Sequence, residues 1–232
     1  MQLFFAPDID TDPVLPEEEA RHAVGVLRLR AGDMISIVDG RGGFYRAELV
    51  QADIRKCQVR ILEQKRDFGK RHHYLHIACA PTKNIDRYEW FLEKATEMGI
   101  DEITPLLCHR SERDTVKTER LNKILVSAMK QSVKAYLPRL NEMSSFKELI
   151  RTDFGGRKYL AHCQPGEKSL LKDVYVKGQD ALVLVGPEGD FTDEEVKAAA
   201  ASGFIQVSLG PSRLRTETAA LAACHTINLI NQ

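Results

Sequence analysis

The chain has 232 residues, 43% hydrophobic and 28% charged, and its 33 Lys and Arg balance its 33 Asp and Glu. This composition excludes a disordered chain, a collagen-like chain and a small disulfide-stapled scaffold, and the length suits one large domain or two modest ones. No stretch approaches the ~18 apolar residues of a transmembrane helix, and the N-terminus lacks the basic region of a signal peptide. The five cysteines are scattered and never spaced C-x-x-C, so we expect reduced thiols in a cytoplasmic protein without a metal site.

The zero net charge conceals an uneven distribution along the chain. Residues 21–72 hold twelve Lys and Arg against six acids, residues 109–139 hold eight against three, and residues 141–232 hold ten against twelve. Two basic stretches on a neutral protein are compatible with an RNA-backbone footprint, and equally with solvated faces. Charge alone therefore leaves RNA binding open.

The first part of the chain, residues 1–70, has the pattern of a small β domain. Strand-like stretches at 34–38 and 44–50 flank the turn sequence of residues 39–43, which predicts a hairpin. A further short strand is predicted over 57–62. The charged stretch 64–73 is the best candidate for a linker.

From residue 74 onward, short apolar strands alternate with longer helical segments, which is typical of an α/β domain with a largely parallel sheet. We therefore predict a second domain over residues 74–232. One helix start is especially clear, because Thr192 and Glu195 form a capping box and Phe191 and Val196 a hydrophobic staple. The predicted strands are 75–80, 102–107, 159–163, 181–185 and 205–209, and two further predicted helices are 87–98 and 119–135.

Two loops near the C-terminus each leave a buried strand through Gly-Pro, at 186–191 and at 209–219. Glycine lets the backbone approach a ligand closely, proline makes the turn rigid, and ligands of α/β sheets collect beyond the carboxyl ends of strands. The loops could form one pocket that presents Glu188 and Arg215, although each alone could be an ordinary turn before a helix. Dinucleotide, P-loop, hydrolase-elbow and zinc-protease motifs do not occur.

The sequences GPEGDFT and LGPSRLRTETA at these loops closely resemble the paired signatures of the ribosomal RNA small-subunit methyltransferase E family. The resemblance runs nearly end to end. It includes the N-terminal residues His22, Val26–Leu29, Gly32-Asp33 and Asp39-Gly40, and the later residues Lys83, Glu89, Lys94, Glu97–Gly99, Pro105, Arg110-Ser111, Gln131-Ser132 and Leu137-Pro138.

The resemblance implies a fold and an activity. The implied fold is a SPOUT-type knotted α/β methyltransferase domain, with a trefoil knot near the C-terminus, preceded by a small PUA-like β-barrel that binds RNA. The implied activity is transfer of a methyl group from S-adenosyl-L-methionine to N3 of a specific uridine in the 16S rRNA of the small ribosomal subunit. The family likeness further implies an obligate homodimer. We expect no metal and no membrane association, because the cysteines are not clustered and no long apolar stretch occurs.

For a protein with this activity, the chemistry of individual residues suggests their roles. We expect Arg215 to stabilise negative charge on the uracil carbonyls and Glu188 either to act as a base or to orient its loop. We expect Glu217 to cap the last helix, and His162 either to line the same pocket or only to close a turn, of which we favour the turn. Cofactor binding is assigned to Gly186, Pro187, Glu188, Gly189, Leu209, Gly210, Leu214, Arg215, Thr218 and Ala219. RNA binding is assigned to Arg28, Arg30, Arg41, Arg46, Arg110 and Arg113, with solvation or pairing to acids such as Asp33 and Glu48 as the alternative.

The sequence departs from the family pattern at a few positions, and other functions stay open. Asp190 stands where the family usually has a second glycine, and Ser212-Arg213 replaces a more usual Arg-Ile pair. Lys130 and Lys134 stand where Glu and Arg are common. The alternatives are a non-catalytic RNA-binding ribosome assembly factor, a SPOUT ribose 2′-O-methyltransferase, and a small-molecule enzyme of unknown type.

Overall fold

Residues 2–232, which a computed structural model describes, fold as two units. The first unit contains the chain up to Lys70 together with Val126–Leu137, and the second contains Arg71–Leu125 and Pro138–Gln232. Residues 126–137 lie inside the predicted second domain, and the structure groups them with the first unit. The domain limits 1–70 and 74–232 themselves stay a prediction.

The first unit is built on a five-stranded, barrel-like sheet in the order β1-β3-β4-β5-β2. The predicted hairpin is confirmed, because residues 34–38 pair antiparallel with residues 44–48. The strand predicted over 57–62 continues to Lys65 and takes two residues from the predicted linker. Its strands are β1 (Leu3–Phe5), β2 (Val14–Leu15), β3 (Met34–Val38), β4 (Phe44–Gln51) and β5 (Cys57–Lys65), and between β2 and β3 the helix α1 (Glu17–Ala20) continues into a π-helical segment, Arg21–Val26.

Alternation along these strands places every second side chain in the same apolar cluster. Ile35 and Ile37 on β3, and Tyr45, Ala47 and Leu49 on β4, are buried in one apolar cluster. Successive side chains of a strand point to opposite faces, so this period of two directs every second residue into the core.

The second unit has a parallel sheet in the order β11-β13-β10-β12-β6-β7-β8, and β9 pairs with β7. All of its strand pairs are parallel, which confirms the predicted α/β architecture. Its strands are β6 (Leu75–Cys79), β7 (Glu102–Leu107), β8 (Arg139–Leu140), β9 (Ser144–Ser145), β10 (Arg157–Ala161), β11 (Ser169–Leu170), β12 (Ala181–Val185) and β13 (Ile205–Ser208). Its helices are α2 (Ile85–Met98), α3 (Thr118–Gln131), α4 (Phe146–Leu149), α5 (Leu171–Val174), α6 (Asp193–Ala201) and α7 (Thr216–Ile230), with the C-terminal part of α3 in the first unit.

Two predicted helix boundaries differ from the observed ones for local reasons. Helix α2 begins two residues before the predicted start, because the Asn84 side chain accepts the Asp86 N–H and caps the helix. Helix α3 ends at Gln131 rather than at residue 135. The chain turns away there, with Val133 in the left-handed region at a φ of 55°. The continuing apolar pattern does not reveal that turn.

The order of the C-terminal strands brings the two Gly-Pro loops to the same part of the sheet. Strand β12 lies on one side of β10 and β13 on the other, so the chain crosses β10 between them. Helix α7 then packs on α2, β6 and β12, so the chain crosses back. Because all these strands are parallel, the loops that follow β10, β12 and β13 emerge at one edge.

The predicted capping box at the start of α6 is confirmed and limits the first of these loops. The Thr192 side chain accepts the Glu195 N–H at 3.2 Å, and the Glu195 carboxylate accepts the Thr192 N–H at 2.8 Å. Phe191 and Val196 are buried in one apolar cluster, as the predicted staple requires.

A buried polar cluster joins β6 and β7 in the second unit. His76 Nε2 lies 2.7 Å from Thr104 Oγ1, and the Asn141 amide donates to both Thr104 and Glu102. Burial lowers the pKa of His76 below its usual value. Burial opposes ionisation of Glu102, but hydrogen bonds from Asn141 and Tyr74 outweigh it, so the pKa of Glu102 is lowered as well.

The lowered pKa of His76 makes stability depend on pH. The unfolded chain binds a proton at His76 below a pKa of about 6.5 and the folded chain only at lower pH. The stabilisation that comes from keeping His76 neutral is therefore complete above pH ~6.5. It is lost as the pH falls toward the pKa of His76 in the folded chain, by up to ~1.4 kcal/mol per pH unit. Between pH 7.5 and 5, the midpoint temperature of thermal unfolding should fall less steeply with falling pH in His76→Gln than in the unsubstituted chain. An equally steep fall in both proteins would contradict this assignment.

Candidate functional site

A cavity of about 750 Å³ lies at the carboxyl ends of β10, β12 and β13. This volume is within the range of small-molecule and cofactor sites, which is roughly 300–1,000 Å³. The lining residues come from the loops after these strands, from the start of α7 and from the segment after β7. They are Arg110, Ala161–Gln164, Lys168, Val185–Glu188, Asp190, Ser208–Thr216 and Ala219.

Most of the predicted cofactor-binding residues meet at this cavity. Gly189 and Thr218 are not among its lining residues. Their neighbours in the two loops are, and the assignment of cofactor contacts stays a prediction. The predicted residues that line the cavity are Gly186, Pro187, Glu188, Leu209, Gly210, Leu214, Arg215 and Ala219.

A buried hydrogen bond joins the two Gly-Pro loops. Thr216 Oγ1, at the first position of α7, donates to the carbonyl oxygen of Gly186 at 3.1 Å. Gly186 is packed so tightly that a Cβ atom there would lie 3.1 Å from the Phe191 ring. A side chain at Gly186 would therefore displace the buried ring that ends the first loop.

Asp190, which departs from the family pattern, fixes the first loop to the end of β10. Its carboxylate accepts the N–H of Cys163 and the N–H of Phe191, both at 2.9 Å. Asp190 has a φ of 61°, in the left-handed region that glycine adopts readily and Asp more easily than most residues. The carboxylate thus compensates for the backbone conformation by making two hydrogen bonds.

Glu188 is exposed, and one of its carboxylate oxygens accepts the backbone N–H of Lys83 at 3.0 Å. The ammonium group of Lys83 pairs with Glu112 at 2.8 Å rather than with Glu188. Of the two roles expected for Glu188, the hydrogen bond to Lys83 fits the orientation of its loop.

His162 is buried and forms part of the cavity wall, so the structure agrees with the first of the two expectations for it, and the favoured role of only closing a turn is too limited. Its Nε2 atom lies 3.0 Å from Gln206 Oε1, so Nε2 carries the proton, and Nδ1 lies 3.5 Å from the Lys168 ammonium. Burial and the neighbouring Lys168 lower the pKa of His162, which keeps the ring neutral at pH 7. Sequence analysis missed Gln164 and Lys168, which follow β10 and could have been found by extending the strand-end rule to that strand.

The cavity wall carries more positive than negative charge. The guanidinium of Arg110 donates to the Gly189 carbonyl oxygen and the ammonium of Lys168 to that of Gln164. Within residues 2–232, the exposed side chains of Arg213 and Arg215 make no hydrogen bond or ion pair. These two cations are therefore available to an anionic ligand.

The other end of the second loop contains Glu217, which we expected to cap the last helix. Glu217 is buried in the first turn of α7 and does not line the cavity. A carboxylate in a first helical turn interacts favourably with the helix dipole.

The four predicted RNA-binding arginines of the first unit have different surroundings. Arg28 and Arg30 are exposed, and their guanidinium groups contact no partner among the described residues. Arg41 donates to the carbonyl oxygen of Pro7, and Arg46 pairs with Glu63 at 3.0 Å. The acids named as alternative partners have other roles: Asp33 accepts the backbone N–H of Arg30, and Glu48 pairs with Arg60.

The predicted RNA-binding arginines of the second unit contact backbone carbonyl groups. Arg110 donates to the Gly189 carbonyl at 2.8 Å, and Arg113 donates to the carbonyls of Thr82 and Lys83 at 3.2 and 2.9 Å. In the first unit, Lys130 forms an ion pair with the buried Glu19.

Residues 2–232 contain no helix that is both long and apolar enough to cross a membrane. Over the same residues, His, Cys, Asp and Glu side chains form no group of three or more that could hold a metal ion. The expectation of a metal-free protein stays a prediction.

Family comparisons cover nearly the whole chain. Residues 70–228 match the family described as the RNA methyltransferase domain, and residues 15–62 match the RNA methyltransferase PUA domain. The ribosomal RNA small subunit methyltransferase E of Bacillus subtilis is 30% identical over 91% of this chain and 87% of its own length. The enzyme of that name from Synechocystis is 29% identical over 99% of this chain and 77% of its own length.

Solved structures agree with these matches. A probable rRNA methyltransferase from Porphyromonas gingivalis is 42% identical, covers 100% of this chain and 98% of its own, and has a TM-score of 0.94. The ribosomal RNA small subunit methyltransferase E of Neisseria gonorrhoeae, solved with S-adenosylmethionine, is 26% identical over the same shares, with a TM-score of 0.88. The predicted fold class, a SPOUT-type α/β domain after a PUA-like β domain, is confirmed. The chain thus belongs to the ribosomal RNA small subunit methyltransferase E family.

Proposed function

We propose that this protein transfers a methyl group from S-adenosylmethionine to N3 of a uridine in the 16S rRNA of the small ribosomal subunit. One observation carries the proposal: the two loops that bear the family signatures meet at a single cavity and are joined by the bond from Thr216 to Gly186. The family membership and the S-adenosylmethionine bound to the Neisseria relative support the same activity.

The residues of the cavity fit a nucleoside cofactor. Leu209 and Leu214 supply an apolar wall, and Gly186 and Gly210 bring the backbone itself to the cavity surface. We propose that these residues hold the cofactor and that the double crossing of β10 is the trefoil knot implied by the family. S-adenosylmethionine supplies a methyl group on a sulfonium, so positioning and electrostatics provide most of the rate enhancement.

The acceptor chemistry requires loss of the proton on uracil N3. We propose that Arg215 stabilises the negative charge that develops on the uracil carbonyl oxygens while this proton passes to water. The N3–carbon bond forms as the sulfur–carbon bond breaks, and the electron pair of the broken bond stays on sulfur. The free guanidinium of Arg215 in the cavity wall supports this role, and the bond from Lys83 to Glu188 supports a loop-orienting role for Glu188.

The proposed reaction can be tested with purified protein and small subunits that lack the modification. We expect transfer of labelled methyl groups and, after nucleoside digestion, recovery of N3-methyluridine. Recovery of a 2′-O-methylated nucleoside would favour the ribose methyltransferase. Absence of both transfer and S-adenosylhomocysteine binding would favour the assembly factor.

The role of Arg215 can be separated from cofactor binding in the same assay. We expect Arg215→Ala to lower kcat by about 10²–10³-fold, as for loss of one oxyanion-stabilising donor, and Arg215→Lys to lose less. If Arg215 acts on the uracil, as proposed here, the affinity for S-adenosylhomocysteine should change little, and a large loss of that affinity would instead support the predicted cofactor contact of Arg215. Arg151→Ala, which removes an exposed arginine elsewhere in the second unit, is the control. Unchanged turnover of Arg215→Ala would contradict the assignment.

We propose that the first unit binds RNA through Arg28 and Arg30, whose guanidinium groups are exposed and unpaired among the described residues. Arg28 has a φ of 58°, and it follows the π-helical segment at residues 21–26. Such backbone irregularities are frequent at functional sites.

An RNA-binding role for these arginines predicts a change in salt dependence. Arg28→Ala and Arg30→Ala should each make the slope of log affinity against log salt shallower by about 0.7–1, if each substitution removes one arginine–phosphate ion pair. Arg60→Ala is the matched control, because Arg60 lies in the same unit, pairs with Glu48 and has no assigned contact with RNA. A slope equal to that of the unsubstituted chain would contradict the proposed role.

We propose that the protein is a homodimer that acts in the cytoplasm, where ribosomal subunits are found. Helices α2 and α7 pack together and expose large apolar side chains, with Trp90 42% and Leu229 55% accessible. Exposed apolar surface of this kind supports an interface. Analytical ultracentrifugation should give a mass of twice the 26.1 kDa of one chain, and Trp90→Glu should shift the protein toward the monomer. A monomeric unsubstituted chain at micromolar concentration would contradict the dimer.

A further inference from the structure

The segment between β7 and α3, residues 108–117, makes several contacts with neighbouring loops and with α6. Its backbone N–H at His109 donates to Glu195 of α6 at 2.9 Å, and its Glu112 pairs with Lys83. Two of its side chains, Arg110 and Arg113, donate to backbone carbonyls of the loops that follow β12 and β6. The segment therefore contacts the first Gly-Pro loop and the loop after β6 at the same time.

Arg110 contacts the first Gly-Pro loop along most of its side chain. Its Nη1 atom lies 2.8 Å from the Gly189 carbonyl oxygen and 3.4 Å from that of Phe191. A Cβ atom at Gly189 would lie 3.2 Å from Arg110 Cβ and 3.3 Å from Cδ, so the loop backbone rests on the aliphatic part of the arginine. Arg110 also lines the cavity.

The other hydrogen bonds of this loop involve groups other than the Gly189 carbonyl. The carbonyl of Gly186 is held by Thr216, and the carboxylates of Glu188 and Asp190 accept N–H groups of Lys83 and Cys163. Among the described residues, the hydrogen bond to the Gly189 carbonyl comes from Arg110. Loss of that donor would leave the Gly189 carbonyl without its hydrogen bond, while the side chains of Glu188 and Asp190 on either side stay attached.

We propose that Arg110 is a positioning residue for cofactor binding, which holds the loop 186–191 in the conformation that forms one wall of the cavity. The inference rests on the proposed function, because it takes S-adenosylmethionine as the ligand of the cavity. It gives Arg110 a different role from the RNA contact that the basic stretch of residues 109–139 suggested.

The physical reason is preorganisation. A hydrogen bond from a charged donor is stronger than a neutral one, and a loop that is already ordered costs the ligand no ordering free energy. Arg113 acts at one remove, because it holds the carbonyl of Lys83, whose N–H in turn reaches Glu188. Its removal should therefore affect the cavity less than removal of Arg110.

The test is a calorimetric titration with S-adenosylhomocysteine of the full chain and its variants. We expect binding by the unsubstituted chain, about tenfold weaker binding by Arg110→Ala, and an intermediate value for Arg110→Lys, which keeps a charged donor. The affinity of Arg113→Ala for S-adenosylhomocysteine should be closer to that of the unsubstituted chain. Arg151→Ala, an exposed arginine of the same unit, is the matched control and should bind normally.

Two further measurements separate positioning from a merely structural role and from RNA contact. Hydrogen exchange of residues 186–191 should be faster in Arg110→Ala while the thermal midpoint changes little. In the methylation assay, the KM for S-adenosylmethionine should rise about tenfold and the KM for small subunits should stay the same. Arg110→Lys supplies the comparison if Arg110→Ala does not fold.

The outcomes distinguish the inference from the proposed function. No binding of S-adenosylhomocysteine by the unsubstituted chain would overturn the proposed function. Normal binding by the unsubstituted chain, Arg110→Ala and Arg110→Lys alike would overturn only the inference. Weaker affinity of Arg110→Ala for RNA, with unchanged affinity for S-adenosylhomocysteine, would assign Arg110 to RNA contact instead.

Discussion

The site depends on the hydrogen bond from Thr216 Oγ1 to the Gly186 carbonyl, because it joins loops from strands on opposite sides of β10. Neither loop could enclose a ligand alone. The parallel sheet makes the contact feasible, since all its strands end at one edge and their following loops are neighbours there. The tight packing of Gly186 on the buried Phe191 ring brings together the two ends of the first loop.

The arginines of the second unit show that a basic stretch of sequence also serves contacts within the protein. Arg110 and Arg113 belong to a basic stretch, yet both direct their guanidinium groups at backbone carbonyls. A guanidinium has five donors and stays charged, so it can organise several irregular loops at once. Arg213 and Arg215, in a part of the chain with slight negative net charge, are the cavity-wall arginines whose side chains have no partner among the described residues.

Asp190 illustrates how a departure from a family pattern can be accommodated. A side chain replaces the usual glycine in the left-handed region, but its carboxylate accepts two backbone N–H groups and fixes the loop to the end of β10. The substitution exchanges conformational freedom for hydrogen bonds. Both His162 and Asp190 line the cavity.

The sequence by itself determined the two architectures, the hairpin of the first unit, the start of α6 and the two Gly-Pro loops, because periodicity, capping residues and Gly-Pro turns act over a few neighbouring residues. Only the tertiary structure decided the end of α3, the place of His162 in the cavity wall, and the partners of Arg110 and Glu188. Those features depend on which loops meet at the sheet edge. A long polar side chain there forms a hydrogen bond with a backbone group that is close in space but distant in the chain. Glu188 and the Lys83 N–H, for example, are 105 positions apart.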